Sequence, residues 1–330
     1  MNSFLKNDGI IQEDYFLFLF FSFSIHNEGM KQFSILLPTG ESLNGVCFKK
    51  SGSTSNLVIQ TGMAEHSERY AHFAEYLNEY LIDVYVLDAF GQGRNAKSVE
   101  DLQKWPKDAF AKNVEALREL VKKLKVETKR PTYLMGHSMG SFMVQSYLER
   151  FPNTVDKAVI CGSNGPCLLM MKSAYIISRL IVHSSNWDKP SKFLQGLGIG
   201  AYEKSIKARK TKCDWLSFNE ENVNTYLADP YCGATNTNGF WREFLKGMAS
   251  LYTKKNETKI SPKDKILIVS GSEDPVGECG KGPKNLLAMY KDRGVNDVSL
   301  ILYEGMRHEI LNELDNKKVY KDIKDFLLRI

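Results

Sequence analysis

Gly136-His137-Ser138-Met139-Gly140 sets a serine between two glycines, after the short apolar run 132–135 and ahead of a helix-like stretch from Ser141 to about Arg150. Strand, sharp turn and helix in that order form a nucleophile elbow, which holds a serine hydroxyl exposed at the end of a sheet. The glycines are required because the neighbouring backbone leaves no room for larger side chains. The pentapeptide alone arises by chance in about one chain in ten of this length. The reading therefore depends on whether an acid and then a histidine follow. Residues 265–270 (KILIVS) read as a buried parallel strand whose following loop carries Glu273 and Asp274, and residues 298–303 (VSLILY) as the next strand, whose loop carries His308. Short apolar runs bounded by turn residues are expected of strands covered on both faces. Each candidate leaves the end of its own strand, the edge at which α/β sheets place their sites.

Elimination among the six histidines favours His308: His26 lies in an atypical leader, His72 in a helix, His183 in an inserted segment and His66 in an early loop, while His137 adjoins the serine and points elsewhere. Asp274 is preferred to Glu273, although pattern alone does not separate neighbours. A serine hydroxyl is a weak nucleophile until an imidazole accepts its proton. His308 would be that base and later the acid, with Asp274 fixing its tautomer and stabilising the imidazolium. The oxyanion needs preorganised donors. One would be the backbone N–H of Met139, and the other that of Met63, in the loop after a strand at 57–60.

With these residues in place, the chain resembles α/β-hydrolases of the monoacylglycerol lipase and lysophospholipase type, a group also described as serine aminopeptidase S33-like. The resemblance runs from about Met30 to the C-terminus. It rests on the segment from Gly62 to Tyr70, the elbow, the acid loop Gly271-Ser272-Glu273-Asp274-Pro275-Val276 and the triplet Arg307-His308-Glu309. It implies an α/β-hydrolase fold, with a mostly parallel, doubly wound sheet and an inserted helical cap. It also implies a Ser-His-Asp carboxylic ester hydrolase acting on a lipid-like ester, without cofactor or catalytic metal. Two histidines of the family pattern are replaced: its His-Gly dipeptide is Thr61-Gly62 here, and its Asp-x-x-Gly-His-Gly carries Gln92 in place of histidine. Both positions support loops.

The rest of the chain fits. Strands are expected at 33–37 and 43–48 (an antiparallel hairpin), 82–87 and 157–161, with helices capped by Ser67 and Asp108 and a final helix at 316–328. Alternating strands and helices imply a parallel core built from residues 30–164 and 261–330. The alternation stops over 165–260, a helix-like cap segment rich in large apolar groups, most of which are expected to fill that segment's own small core, with a few lining an acyl pocket. Residues 1–29 form an atypical leader. Its apolar stretch 16–25 is too short to span a bilayer and lacks signal-peptide flanks. It reads either as a segment upstream of a natural start at Met30 or as a peripheral anchor, alternatives that the intact mass from the native host separates.

The 330 residues carry a net charge of +5, and basic clusters at 122–130 and 204–212 read as solvated faces or as attraction to anionic lipid headgroups. Nothing resembles a nucleic-acid module. Six cysteines show neither Cys-x-x-Cys pairing nor zinc-like spacing with histidine, in keeping with small buried thiols in a reducing cytosol. Gly196-x-Gly198-x-Gly200 lacks the preceding strand a phosphate loop requires. Two other readings stay open. An S33-type aminopeptidase needs an acidic group for the substrate amine, with Glu220, Glu221 and Asp229 available; a non-catalytic small-molecule receptor on the same fold would keep the pocket and lose the chemistry.

Overall fold

The computed structural model of the chain describes residues 29–329; the leader, with its start-site and anchor alternatives, lies outside them apart from Gly29. Eight strands form one sheet in the order β1-β2-β4-β3-β5-β6-β7-β8. The hairpin β1 (Met30–Leu36) and β2 (Ser42–Phe48) is antiparallel and joins the sheet antiparallel to β4 (Ile82–Leu87). The remaining pairings, through β3 (Ser55–Gln60), β5 (Thr132–His137), β6 (Ala158–Cys161), β7 (Lys265–Gly271) and β8 (Asp297–Tyr303), are all parallel.

The central strands β3, β4 and β5 are buried along their whole length and carry apolar runs because both faces are covered. In β5, Leu134 faces one apolar core, whereas Tyr133 and Met135 face the other. In β3, Val58 and the pair Leu57 and Ile59 divide in the same way, following the two-residue period of a strand. One face is covered by α1 (Ala71–Glu79) and the C-terminal α11 (Asn316–Leu328), the latter at the bounds its sequence suggests. The other is covered by α2 (Ala109–Thr128), α3 (Met139–Arg150) and α10 (Lys281–Asp292).

Two caps differ from expectation. The Ser67 side chain caps no helix: its N–H and Oγ donate to the Asp88 carboxylate at 2.7 and 2.9 Å, and α1 begins four residues later after a 3-10 turn. Asp108 does stand just before α2, but at φ 62° its carboxylate turns away from the helix and pairs with Lys246. In both cases a tertiary partner wins the side chain from the helix end.

Between β6 and β7 the described chain has helices and no named strand: α4 (Leu168–Ile181), α5 (Lys192–Leu197), α6 (Ile199–Ser205), α7 (Glu220–Ala228), α8 (Asn238–Met248) and α9 (Lys254–Glu257). The glycine triplet at 196–200 falls at the α5–α6 junction, with no strand before it. This insertion does not keep most of its large side chains to itself. Phe240, Trp241, Phe244 and Met248 of α8 enter the main core, with the Phe244 ring 6.3 Å from Phe110 and 6.4 Å from Phe142. A smaller cluster around Trp215, Leu216, Val223 and Tyr226 is nearly the insertion's own, joined by Val276 from the loop after β7. No described helix is long and apolar enough to cross a membrane.

Candidate active site

Ser138 follows the last residue of β5 and immediately precedes α3, at φ 53° and ψ −120°. This is strained ground for a residue with a Cβ, costing about 1–3 kcal/mol, and surrounding contacts must hold it. The Ser138 N–H donates to the Cys161 carbonyl of β6 at 3.0 Å, and the Ser138 carbonyl accepts from the Ser141 N–H and Oγ at 2.9 and 2.5 Å. The elbow glycines are sterically required. A Cβ on Gly136 would lie 2.2 Å from the Gly140 carbonyl oxygen, and one on Gly140 2.3 Å from that of Gln60.

Asp274, in the loop after β7, is fully buried, and both its carboxylate oxygens lie 3.0 Å from Nδ1 of His308, in the loop after β8. Oδ1 also accepts the Val276 N–H at 2.9 Å, which fixes the carboxylate's orientation. Glu273 is exposed, so geometry separates the neighbours that sequence does not. The His308 ring is held between Trp215 and His137, with ring centroids 5.1 and 4.8 Å away. Its Nε2 has no hydrogen-bond partner among the described residues, and His308 lines the same cavity as Ser138. Met63 and Met139 line that cavity as well, and neither backbone N–H donates to another described residue.

His137 does more than point away. It spans Glu65 Oε1 and the His308 carbonyl, each at 3.3 Å. Burial alone would depress its pKa, but the hydrogen bond and charge of Glu65 raise it above the ordinary value. Glu65 experiences the opposite balance: burial pushes its carboxyl up, and His137, Arg69 and Tyr70 together hold it well below the usual range. Glu65 also accepts the Gly62 N–H at 2.5 Å and the Tyr70 hydroxyl at 2.8 Å. Arg69 donates to Glu65 at 2.9 Å and to both oxygens of Glu309, the residue after His308, at 2.7 Å; Asn222 of α7 donates to Glu309 at 2.7 Å. A buried ionic bridge therefore joins the Met63 loop, the His308 loop and the helical insertion. In the sequence Glu65, Arg69 and Glu309 stand only within the motifs that carry the resemblance, Asn222 carries no signal, and the i,i+4 spacing of Glu65 and Arg69 is the one visible sign of the bridge.

Gln92 takes over where the family's histidine is missing. Its Nε2 donates to the Gly62 carbonyl at 2.8 Å and its Oε1 accepts the Ala64 N–H at 2.9 Å, so one amide grips both peptides flanking Met63. Thr61 contributes less, donating from Oγ1 to the Leu87 carbonyl at 3.3 Å. Gln92→Ala should leave a buried N–H and C=O unpaired at about 1–3 kcal/mol each and free the Met63 N–H to wander. With the Met63 N–H as the expected oxyanion donor, turnover should fall about 10–100-fold, less than the 10²–10³ for complete loss of such a donor. Steady-state kinetics should place most of that loss in kcat; a change confined to KM would assign Gln92 to substrate binding.

The cavity over Ser138 has a volume of about 700 Å³ and is mainly apolar, bounded by Met63, Phe142, Met171, Leu194, Trp215 and Phe244 among others. Of the acidic residues considered for an amine subsite, Glu220, Glu221 and Asp229 are absent from its described lining; Glu65, Glu203, Glu278 and Glu309 are present instead.

The family model of the serine aminopeptidases, S33, matches residues 53–315. A monoacylglycerol lipase of Mycolicibacterium smegmatis is 26% identical over 274 residues, covering 82% of this chain and 87% of that protein. Among solved structures, a thermostable carboxyl esterase from Bacillus coagulans, crystallised with glycerol, superposes with a TM-score of 0.82 at 22% identity, covering 91% of this chain and 98% of that one. A soluble variant of monoglyceride lipase from Saccharomyces cerevisiae superposes with a TM-score of 0.68 at 16% identity, covering 93% and 96%. At those identities the two superpositions show a shared fold.

Proposed function

The chain belongs to the serine aminopeptidase S33 family of α/β-hydrolases, and from that premise we propose that it cleaves carboxylic esters of lipid-like substrates, monoacylglycerols or lysophospholipids, through an acyl-enzyme on Ser138. The observation that carries the reading is the buried His308–Asp274 pair, 3.0 Å apart, whose histidine lines the apolar cavity that Ser138 also lines. With Nδ1 committed to Asp274, Nε2 is the nitrogen left to take the Ser138 proton as Oγ attacks the ester carbonyl. The N–H groups of Met63 and Met139 would receive the developing oxyanion. His308 would then protonate the leaving alcohol, and a water activated by the same nitrogen would release the fatty acid.

The cavity supports an acyl chain: its volume is that of a small-molecule site, and its lining is apolar with few polar groups. Its rim continues onto an apolar outer face. Met170 and Ile177 line the cavity and are exposed, beside exposed Leu169 and Leu180 of α4 and Leu197 of α5. Lys172 and Arg179 lie on the same α4, the composition of an interfacial helix that meets anionic lipid. An acyl chain could thus pass from a lipid surface into the site without crossing water.

One panel tests substrate and presentation together. Monoacylglycerols and lysophospholipids of increasing chain length, p-nitrophenyl esters and aminoacyl amides are offered in solution and in anionic vesicles. We expect esters to be cleaved, with a chain-length optimum and faster turnover from vesicles. Cleavage of the amides but not the esters would favour the aminopeptidase reading.

A further inference from the structure

We propose that His66, Asp229 and Cys232 form a binding site for a zinc-like divalent cation, which ties the loop after β3 to the helical insertion. The imidazole nitrogen, carboxylate oxygen and thiol sulfur of the three residues lie within 4.8 Å of one another. Sequence spacing conceals the group, since His66 and Asp229 are separated by 163 positions. None of the three lines the cavity over Ser138, so the site is separate from the ester chemistry and stands whether or not Ser138 is a nucleophile.

The donor set selects the cation. Nitrogen, oxygen and sulfur together suit zinc and its neighbours, whereas magnesium and calcium take oxygen alone. The positions are largely set in advance. Asp229 and Cys232 sit on one turn, closed by the Cys232 N–H donating to the Asp229 carbonyl at 3.1 Å. Oδ1 of Asp229 is occupied by the Tyr231 N–H at 2.8 Å, leaving Oδ2 directed at His66 Nε2, 2.7 Å away. The turn is fastened to the His66 loop: the Gly233 N–H and the Tyr226 hydroxyl both donate to the Ala64 carbonyl at 2.9 Å. The two walls are thus held in register by bonds that do not involve the ligand atoms.

The surrounding charge also favours a cation. Asp88 and Glu68 act on His66, and Glu65 and Glu309 act on Cys232, where Arg69 opposes them. Zinc bonds of ~2.0–2.3 Å require tetrahedral donors to be separated by about 3.4–3.6 Å. The histidine–aspartate contact would therefore open slightly and the thiol move inward by up to about 1 Å. The partly exposed His66 and Asp229 leave a fourth position to water. On binding, the thiol proton and the proton shared between His66 and Asp229 pass to solvent, so affinity should rise with pH.

Cobalt(II) is the probe, because a thiolate bound to it gives a charge-transfer absorption and tetrahedral geometry gives intense visible bands. Titration of the reduced full-length chain should show both, saturating at one equivalent and bleached by zinc. Cys232→Ser should abolish the thiolate band. Asp229→Asn should weaken binding by about tenfold or more, and Cys279→Ser, at an exposed thiol, should change neither. Zinc should raise the thermal midpoint of the wild type but not of Cys232→Ser. A cobalt complex without the thiolate band, or a band that survives Cys232→Ser, overturns the site.

Discussion

Ser138→Ala should lower kcat by about 10⁵–10⁶-fold, because serine and histidine of such a group act as a unit and losing either removes nearly all of its effect. Residual turnover of about 10³–10⁴ over water would come from the oxyanion donors and substrate binding alone, and here the Met63 and Met139 N–H groups are untouched by the change. The variant should fold, since alanine occupies the same φ of 53° with the same Cβ and the elbow is held by backbone contacts to Cys161 and Ser141. Ser138→Gly should be equally inactive but more stable than the alanine variant by about 1 kcal/mol or more, because glycine relieves a positive φ that any residue with a Cβ must strain to adopt. Monoacylglycerol turnover and thermal midpoints of the three proteins check both statements. Ligand binding without turnover, unchanged between wild type and Ser138→Ala, would instead indicate a receptor.

Much of this arrangement was legible in the sequence because it depends on local rules. The parallel strands are short apolar runs between turn residues, and a serine between two glycines at the end of such a run has few alternatives to an elbow. What was not legible depends on side chains meeting across long sequence separations. Glu273 and Asp274 are equivalent as a pattern, and only the fold buries one against His308 and exposes the other. Ser67 and Asp108 read as helix caps until Asp88 and Lys246 compete for them. Gln92 is visible in the sequence only as a replacement of the family's histidine at a loop-supporting position; the fold shows its amide supplying a donor and an acceptor to the two peptides around Met63. The large apolar residues of 165–260 looked like a self-contained cap core. Their division between the main core and the insertion follows from α8 packing beside α2 and α3, which composition does not encode.

Arg69→Met should destabilise the fold by about 3–5 kcal/mol, the usual result of removing one member of a buried ion pair and stranding the rest. Two carboxylates depend on that guanidinium, whose side chain is only 9% exposed. Methionine is unbranched like the arginine stem and leaves little void, so the loss would be mainly electrostatic, including the contact of the guanidinium with the Tyr226 ring 4.9 Å away. Its pH dependence follows from the shifts. Glu65 and Glu309 are held below their ordinary 4.5 in the folded chain, so the stability they contribute is present above about pH 4.5 and disappears as pH falls through their folded values. The gap between wild type and variant should therefore be full at neutral pH and narrow in acid. His137 has the opposite sign: raised above 6.5, it contributes below that value and its contribution is lost as pH rises through its folded pKa. Adding Glu309→Gln to Arg69→Met should recover part of the loss, since a neutral amide beside methionine leaves less uncompensated charge. Denaturant unfolding of the wild type and both variants across pH provides the measurement. A gap that is small at neutral pH, or that widens in acid, would mean the network does not carry the charge its geometry requires. Because Arg69 joins the Met63 loop to the residue after His308, the same variant should lose turnover even when fully folded, and that loss would show the ionic bridge keeping oxyanion donor and base in register.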